Sequence, residues 1–367
     1  MPHLFDPITL RGTTLRNRIA VSPMCQYCAD TDGRPTDWHL AHLLARAVGG
    51  AGLVLTEATA VTPEGRITPA DLGLWEEAQV APHARIAAAI AAAGSTPGIQ
   101  IAHAGRKGSR NPPWRDGAAE PGWEALAPST MPMDGMASPR AMTEPEIADT
   151  IAAHAATARR AVRAGYRVVE IHAAHGYLLH EFLSPLSNTR ADAWGGGFEG
   201  RTRIVREIAG AVRADLPPDV PLFLRVSHTD WVEGGWTTEE TVELARRVAP
   251  LGVDLMDVSS GGIAGRAPIP LGPGYQVPGA EAVKRGAGVP VSAVGMITEP
   301  AGAEAILAEG RADLVMLGRA MLKDPYWPVR AARELGAEER LAIPPQYARG
   351  WGNLPLRDAT AAPMDAA

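Results

Sequence analysis

Short runs of β-branched and other apolar residues recur along this chain. Each closes on Gly, Ser, His or Arg, and each is followed by a longer stretch with the apolar spacing of a helix. Eight such runs occur, at 19–21, 53–56, 99–102, 168–171, 222–226, 255–258, 291–294 and 314–317. Between them lie Ala-rich, apolar-periodic stretches, among them 80–93, 145–164, 201–214, 238–249 and 300–309. The pattern predicts eight strand and helix units in one alternating series. No linker or break in composition divides that series, so it predicts one α/β domain, a closed (β/α)8 TIM barrel over residues 1–351, rather than two doubly wound sheets. Residues 1–17 precede the first strand and are expected to cap the barrel floor. The Gly/Pro-rich segments 105–142 and 184–200 are expected as extended loops, which in a barrel form the walls of the site. Residues 352–367 read as a loosely ordered tail.

Composition narrows the function classes. Of 367 residues, 46% are hydrophobic and 21% charged, which supplies a sizeable core and excludes disorder as the main theme. The formal net charge of −6 offers no general attraction to nucleic acid or anionic membrane, so an anionic ligand needs a local site. The 39 Gly and 32 Pro residues follow no repeat and imply many short connections. Cys25 and Cys28 are the two cysteines, too few for a secreted disulfide framework. The first residues have neither a basic start nor an apolar run. A cytoplasmic enzyme is the expectation.

A barrel places chemistry at the carboxyl ends of its strands. There the chain carries Ser22-Pro23-Met24-Cys25-Gln26-Tyr27, Glu57-Ala58, Gln100 with His103, and His172-Ala-Ala-His175-Gly-Tyr177. Arg225, Ser259-Ser260-Gly261-Gly262, Gly295 and Gly318-Arg319 follow on the later strands. His172 and His175, three apart, face the same way if a helical turn has begun. Two neutral imidazoles could then donate hydrogen bonds to one carbonyl or nitro oxygen, with Tyr177 supplying a proton. The alternatives are capping histidines, or a metal site completed by Glu170 with Cys25 and Cys28 as spare ligands, which would make a metal-dependent lyase or hydrolase. Arg225 stands on an apolar strand and needs a partner, either a structural carboxylate or the negative ring of a reduced cofactor. Gly318-Arg319 with Gly295 resembles a barrel phosphate site. No nucleophile elbow, Walker sequence or dinucleotide fingerprint occurs.

Five blocks together resemble the Old Yellow Enzyme flavoproteins, in the bacterial branch that includes the xenobiotic reductases. They are Ser22-Pro-Met-Cys-Gln-Tyr27, Gly98-Ile-Gln-Ile-Ala-His-Ala-Gly-Arg-Lys107, the block from Glu170-Ile-His-Ala-Ala-His-Gly-Tyr177 to Asn188, Ala293-Val-Gly-Met-Ile297, and Gln346-Tyr-Ala-Arg-Gly-Trp351. The resemblance implies non-covalent FMN, reduced by NADPH or NADH, that reduces alkenes conjugated to a carbonyl or nitro group. It implies that Ser22, Pro23, Met24, Cys25, Ala58, Gln100, His172 and Arg225 surround the flavin ring, and that Gly295, Gly318 and Arg319 lie at its phosphate end. It further implies that His172 and His175 hold the substrate oxygen, that Tyr177 protonates the α-carbon, that Tyr27 helps hold the oxygen or ring, and that Cys25 tunes the flavin. Cys28 and Gln26 depart from the expected pattern, and Cys28 opens a second possibility, a reversible Cys25–Cys28 disulfide. The resemblance also implies a homodimer or homotetramer in which Arg349 reaches the neighbouring site. A flavin reductase for nitro compounds, quinones or xenobiotics, and a catalytically idle flavin barrel, fit the same residues.

Overall fold

The eight apolar runs form eight parallel strands that close on themselves. In the computed structural model, which describes residues 3–115, 122–352 and 354–357, the barrel strands are β1 (Ile19–Val21), β2 (Leu53–Ala60), β3 (Thr96–Ala102), β4 (Val168–Ala173), β5 (Leu222–Ser227), β6 (Leu255–Ser259), β7 (Val291–Ala293) and β8 (Leu314–Leu317). Each pairs with its sequence neighbours, and β8 returns to β1 through Val315, Met316 and Leu317. The main outer helices are α1 (Asp37–Val48), α2 (Val80–Ala92), α3 (Glu144–Arg163), α4 (Phe198–Asp215), α5 (Thr238–Val248), α6 (Val277–Ala287), α7 (Pro300–Ala308) and α8 (Trp327–Glu334). β2 runs four residues past its expected end because its register with β3 slips between Leu55 and Ala58. Such a bulge re-aims the strand end, here the one carrying Glu57 and Ala58.

The helices begin where their sequences supply caps. Thr143 accepts from the Glu146 amide while the Glu146 carboxylate accepts from the Thr143 amide, and Pro145 stands in the first turn. Both orphan donors of the α3 entry are thereby satisfied. Ile147, Thr150, His154, Ala158 and Ala161 then form the buried stripe. Thr237 and Glu240 repeat the device on α5.

The barrel interior changes character along its axis. Its lower half is apolar, with Leu53, Leu55, Val168, Phe223, Leu255, Leu314 and Met316 in one buried cluster. An antiparallel hairpin of Ile8–Leu10 and Thr13–Leu15 inserts Leu10 and Leu15 beneath that cluster, so the amino terminus does cap the floor. The Gly12 amide donates to the Asp219 carbonyl at 3.1 Å and Arg11 Nε pairs with Asp254 at 2.6 Å, pinning the hairpin to the segments that enter β5 and β6. Higher up the interior turns polar, through Gln100, Glu170, Arg225, Asp257 and Ser292. With Leu10 and Leu15 filling the floor, the polar end of the barrel is the opposite rim.

Past Trp351, Leu354 is buried, and the Ile343 amide donates to the Pro355 carbonyl at 2.8 Å. Most of the segment expected as a loose tail, 358–367, lies outside the described residues. So does part of the 105–142 loop, at 116–121. Among the described residues no helix is long and apolar enough to cross a membrane.

Candidate active site

Strand pairing assembles the site at the rim. Pairing sets Gln100 beside Glu170, His172 beside Arg225, and Arg225 beside Asp257. Arg225 Nε lies 3.2 Å from Asp257 Oδ2, and Nη1 donates to Ser22 Oγ at 2.9 Å. Its partner is thus a carboxylate, with Ser292 Oγ donating to the other Asp257 oxygen at 2.6 Å. Gln100 Nε2 donates to Glu170 Oε1 at 2.8 Å, leaving the Gln100 carbonyl oxygen free to accept. Burial and nearby Asp257 push the Glu170 carboxyl up, against the pull of Arg225.

His172, His175 and Tyr177 meet as the sequence suggested, though by another route. The chain does not enter a helical turn after β4. His175 and Gly176 have positive φ, +61° and +72°, and the helix Leu178–Leu183 starts only after Tyr177. The turn is wedged against the loop after β6: a Cβ on Gly176 would lie 2.1 Å from the Gly262 carbonyl oxygen, and one on Gly262 would lie 2.5 Å from the His175 backbone. Glycine at both positions is what permits this approach. The ring centroids of His172 and His175, and of His172 and Tyr177, lie 5.2 Å apart.

Electrostatics keep this trio neutral. Burial, with Arg225 close by, holds both imidazoles well below their ordinary range. Burial also lifts the Tyr177 phenol well above its own, aided by Cys25 and Tyr27. His175 Nε2 lies 2.7 Å from Ser259 Oγ, and Gln276 Oε1 accepts from Ser259 Oγ at 3.2 Å and from Ser260 Oγ at 2.6 Å. His172 Nδ1 is buried without a hydrogen-bond partner. An unpartnered buried imidazole nitrogen costs free energy that a ligand can recover.

The remaining candidates stand at or near the strand ends, with three exceptions. Ser22 is buried and its amide donates to the Leu317 carbonyl at 3.0 Å, tying the β1 end to the β8 end. A Cβ on Gly318 would lie 3.7 Å from Met24 Sδ, ordinary contact, so Met24 lines that seam. Gly295 takes φ +118°, and a Cβ there would press on the Gln276 side chain at 2.8 Å. Arg319 is exposed two residues past the end of β8. Ala58 is buried opposite Gln100, and Pro23 is half-buried. Tyr27, with φ +52°, packs edge-on against Trp114 at 5.6 Å. The first exception is Arg349, which is exposed on a short helix whose Trp351 packs on Tyr326 and beneath Arg333. The second is the cysteine pair: both thiols are free, Cys28 Sγ lies 3.7 Å from His39 Nε2, and burial pushes Cys25 up. The third is the metal alternative. Among the described residues no group of three His, Cys, Asp or Glu side chains is placed to hold a metal, and Glu170 is engaged by Gln100. The metal-dependent lyase or hydrolase reading is therefore not supported. Asp257, Ser259, Gln276 and Lys107 went unassigned in the sequence. The inward alternation of β6 is the signal that could have flagged Asp257.

These residues suit an anionic, planar, phosphate-bearing ligand. Arg225 is held from one side by Asp257, Gln100 offers an acceptor, and Gly295, Gly318 and Arg319 leave room and charge at the β7 and β8 ends. A model of the NADH:flavin oxidoreductase / NADH oxidase family matches residues 3–338. The NADPH dehydrogenase of Geobacillus thermodenitrificans (strain NG80-2) is 47% identical over 350 residues, covering 95% of this chain and 98% of its own. Among solved structures, 2-naphthoyl-CoA reductase in complex with 2-naphthoyl-CoA is similar at a TM-score of 0.83 and 31% identity, over 92% of this chain and 53% of that one. The Old Yellow Enzyme homologue from Zymomonas mobilis is similar at a TM-score of 0.77 and 26% identity, over 97% and 100%. The chain belongs to the NADH:flavin oxidoreductase / NADH oxidase family and is an FMN-dependent NAD(P)H oxidoreductase of the Old Yellow Enzyme type.

Proposed function

We propose that this oxidoreductase adds hydrogen across carbon–carbon double bonds conjugated to a carbonyl or nitro group. The observation that carries the reading is the neutral pair His172 and His175 with Tyr177 at 5.2 Å from His172, and His172 paired beside Arg225. When bound, the flavin supplies the hydride that it has taken from NAD(P)H. Arg225 holds the negative edge of its ring, the Gln100 carbonyl accepts from it, and the backbone of Ser22, Pro23, Met24, Cys25 and Ala58 frames it. Gly295, Gly318 and Arg319 hold its phosphate. His172 and His175 donate to the substrate's activating oxygen and draw electron density away from the β-carbon, which is where the hydride arrives. Tyr177 then gives its proton to the α-carbon. Tyr27 closes on the oxygen or ring. Cys25, a half-buried thiol held neutral by desolvation, modulates the flavin rather than forming a disulfide.

The same donors suit a nitro oxygen, so nitro compounds, quinones and other xenobiotics are the second substrate class. The exposed Arg349 supports a homodimer or homotetramer in which it completes the neighbouring site, and the two unpaired cysteines support a cytoplasmic setting. The purified protein should be yellow and release FMN on denaturation. Reduced anaerobically with NADPH and mixed with 2-cyclohexenone, it should recover its oxidised flavin spectrum. Recovery no faster than in buffer alone would overturn the ene-reductase reading.

A further inference from the structure

Lys107 has no role in the chemistry described so far, yet its ammonium is fixed against the proton donor. It ends the turn Gly105–Lys107 that follows β3. Three contacts set that turn. Gly105 has φ +62°, and a Cβ there would lie 2.2 Å from Glu181 Oε1. The Arg106 amide donates to that oxygen at 2.9 Å. The Arg106 guanidinium, also buried, donates to the Ile263 carbonyl at 2.6 Å. Lys107 Nζ then donates to the His175 carbonyl at 2.6 Å and to the Gly262 carbonyl at 2.7 Å, tying the wedged turn to the facing loop through a positive-φ residue of each. From that clamp the ammonium stands 5.1 Å from the centroid of the Tyr177 ring.

Proton delivery has a charge problem at this place. The Tyr177 O–H bond breaks, a C–H bond forms at the substrate α-carbon, and a negative charge is left on the phenolate until water reprotonates it. Burial resists that charge, and Cys25, Tyr27 and Asp71 all oppose it. Arg110 helps, but it is exposed and screened by solvent. Lys107 is half-buried over the ring itself, where an ammonium attracts an electron-rich phenolate more strongly than a phenol. We propose that Lys107 is the positioning residue that makes Tyr177 an effective proton donor, its clamped ammonium offsetting the charge left on the phenolate. The inference rests on Tyr177 being the donor.

Two substitutions separate charge from clamp: Lys107→Gln keeps a donor for the carbonyls without the charge, and Lys107→Arg keeps both. The oxidative half-reaction should slow by about tenfold to a hundredfold in Lys107→Gln, with reduction by NADPH unaffected. Lys107→Arg should recover most of the loss. In a Tyr177→Phe background, Lys107→Gln should add no further slowing, since a charge without its phenolate has nothing to offset. Additive losses, equal slowing of both half-reactions, or an Arg variant as slow as the Gln variant would overturn the proposal. A Tyr177→Phe enzyme with an unchanged oxidative rate would instead remove the donor reading beneath it.

A pH series gives an independent arm. Burial, with Arg106 and Arg110 adding to it, pushes the ammonium down to about 8, while Glu181 pulls it up. The remaining titratable groups packed on it, Tyr177 and His175, stay neutral. The wild-type oxidative rate should therefore fall above pH 8 or so, and the Lys107→Arg rate should stay level there. A fall shared by both would count against the role. A readout free of turnover is also available, because a fluorotyrosine at position 177 titrates lower and can be followed by ultraviolet absorbance. Its midpoint should move up in Lys107→Gln, and an unmoved midpoint would refute the electrostatic contact.

Discussion

Arg225 shows how much one side chain can be asked to do. It is a charge on a barrel strand, 5% exposed, ion-paired with Asp257 at 3.2 Å and donating to Ser22. Removing it leaves Asp257 buried without a cation, and an uncompensated buried charge costs about 3–5 kcal/mol. Arg225→Met should lower the urea stability of the flavin-free protein by that order and weaken FMN binding as well. His172→Ala and His175→Ala should behave differently, since neither ring carries charge. Each should raise the substrate KM by roughly tenfold or more, about one charge-free hydrogen bond to a buried acceptor, while FMN affinity measured by fluorescence changes much less. Equal loss of both affinities would break the assignment of the pair to the substrate oxygen. At this scale the sequence named residues that the fold brings together: both histidines, the tyrosine and the arginine. It gave no role to Ser259 or Lys107 and did not name Asp257, because their contacts lie across from them on other strands.

Elements carry a second kind of evidence, since their edges follow from local chemistry. The α3 entry combines the Thr143 and Glu146 capping box with Arg140, which grips both Glu146 oxygens at 3.0 and 2.6 Å. Arg140 and the Thr143 amide pull the Glu146 carboxyl down to about 2. Its value in the unfolded chain is about 4.3. A carboxyl lowered on folding stabilises in full above the unfolded value and loses that contribution as pH falls toward the folded one. The α3 contribution should thus fade between about pH 4.5 and pH 2 and be absent from Glu146→Gln across that window, as thermal melts would read. The side chain is partly exposed, so solvent holds the effect below about 1 kcal/mol. The amino-terminal hairpin makes a larger prediction. Leu10 and Leu15 close the floor, and Leu15→Ala should cost about 2–5 kcal/mol by opening a cavity under Phe223 and Leu255. The hairpin itself was legible only as a cap, because each of its two strands is three residues long and too short to show a period.

For the molecule as a whole, the site and the fold share one reservoir of free energy. A ligand that binds only the folded state stabilises it by about 2.7 kcal/mol at a concentration one hundred times its Kd. Saturating FMN should therefore raise the melting temperature of the flavin-free protein, and Arg225→Met should gain less from the same FMN concentration. Arg349→Ala should raise the substrate KM within an intact oligomer, measured alongside mass by light scattering; an unchanged KM would return Arg349 to the surface. The alternation of apolar strand and amphipathic helix, eight times without a break, was enough to determine the barrel, because period and segment length are local properties of the chain. The strand-end rule then told which rim would carry the chemistry. Tertiary structure alone decided how that rim works. The His172 and His175 rings converge through a left-handed turn that only the facing Gly262 makes room for, Arg225 is balanced by a strand that follows it by some thirty residues, and Lys107 comes to lie against Tyr177 from another strand altogether. Those contacts depend on barrel closure and register, which bring distant residues within hydrogen-bond reach and which no local pattern encodes.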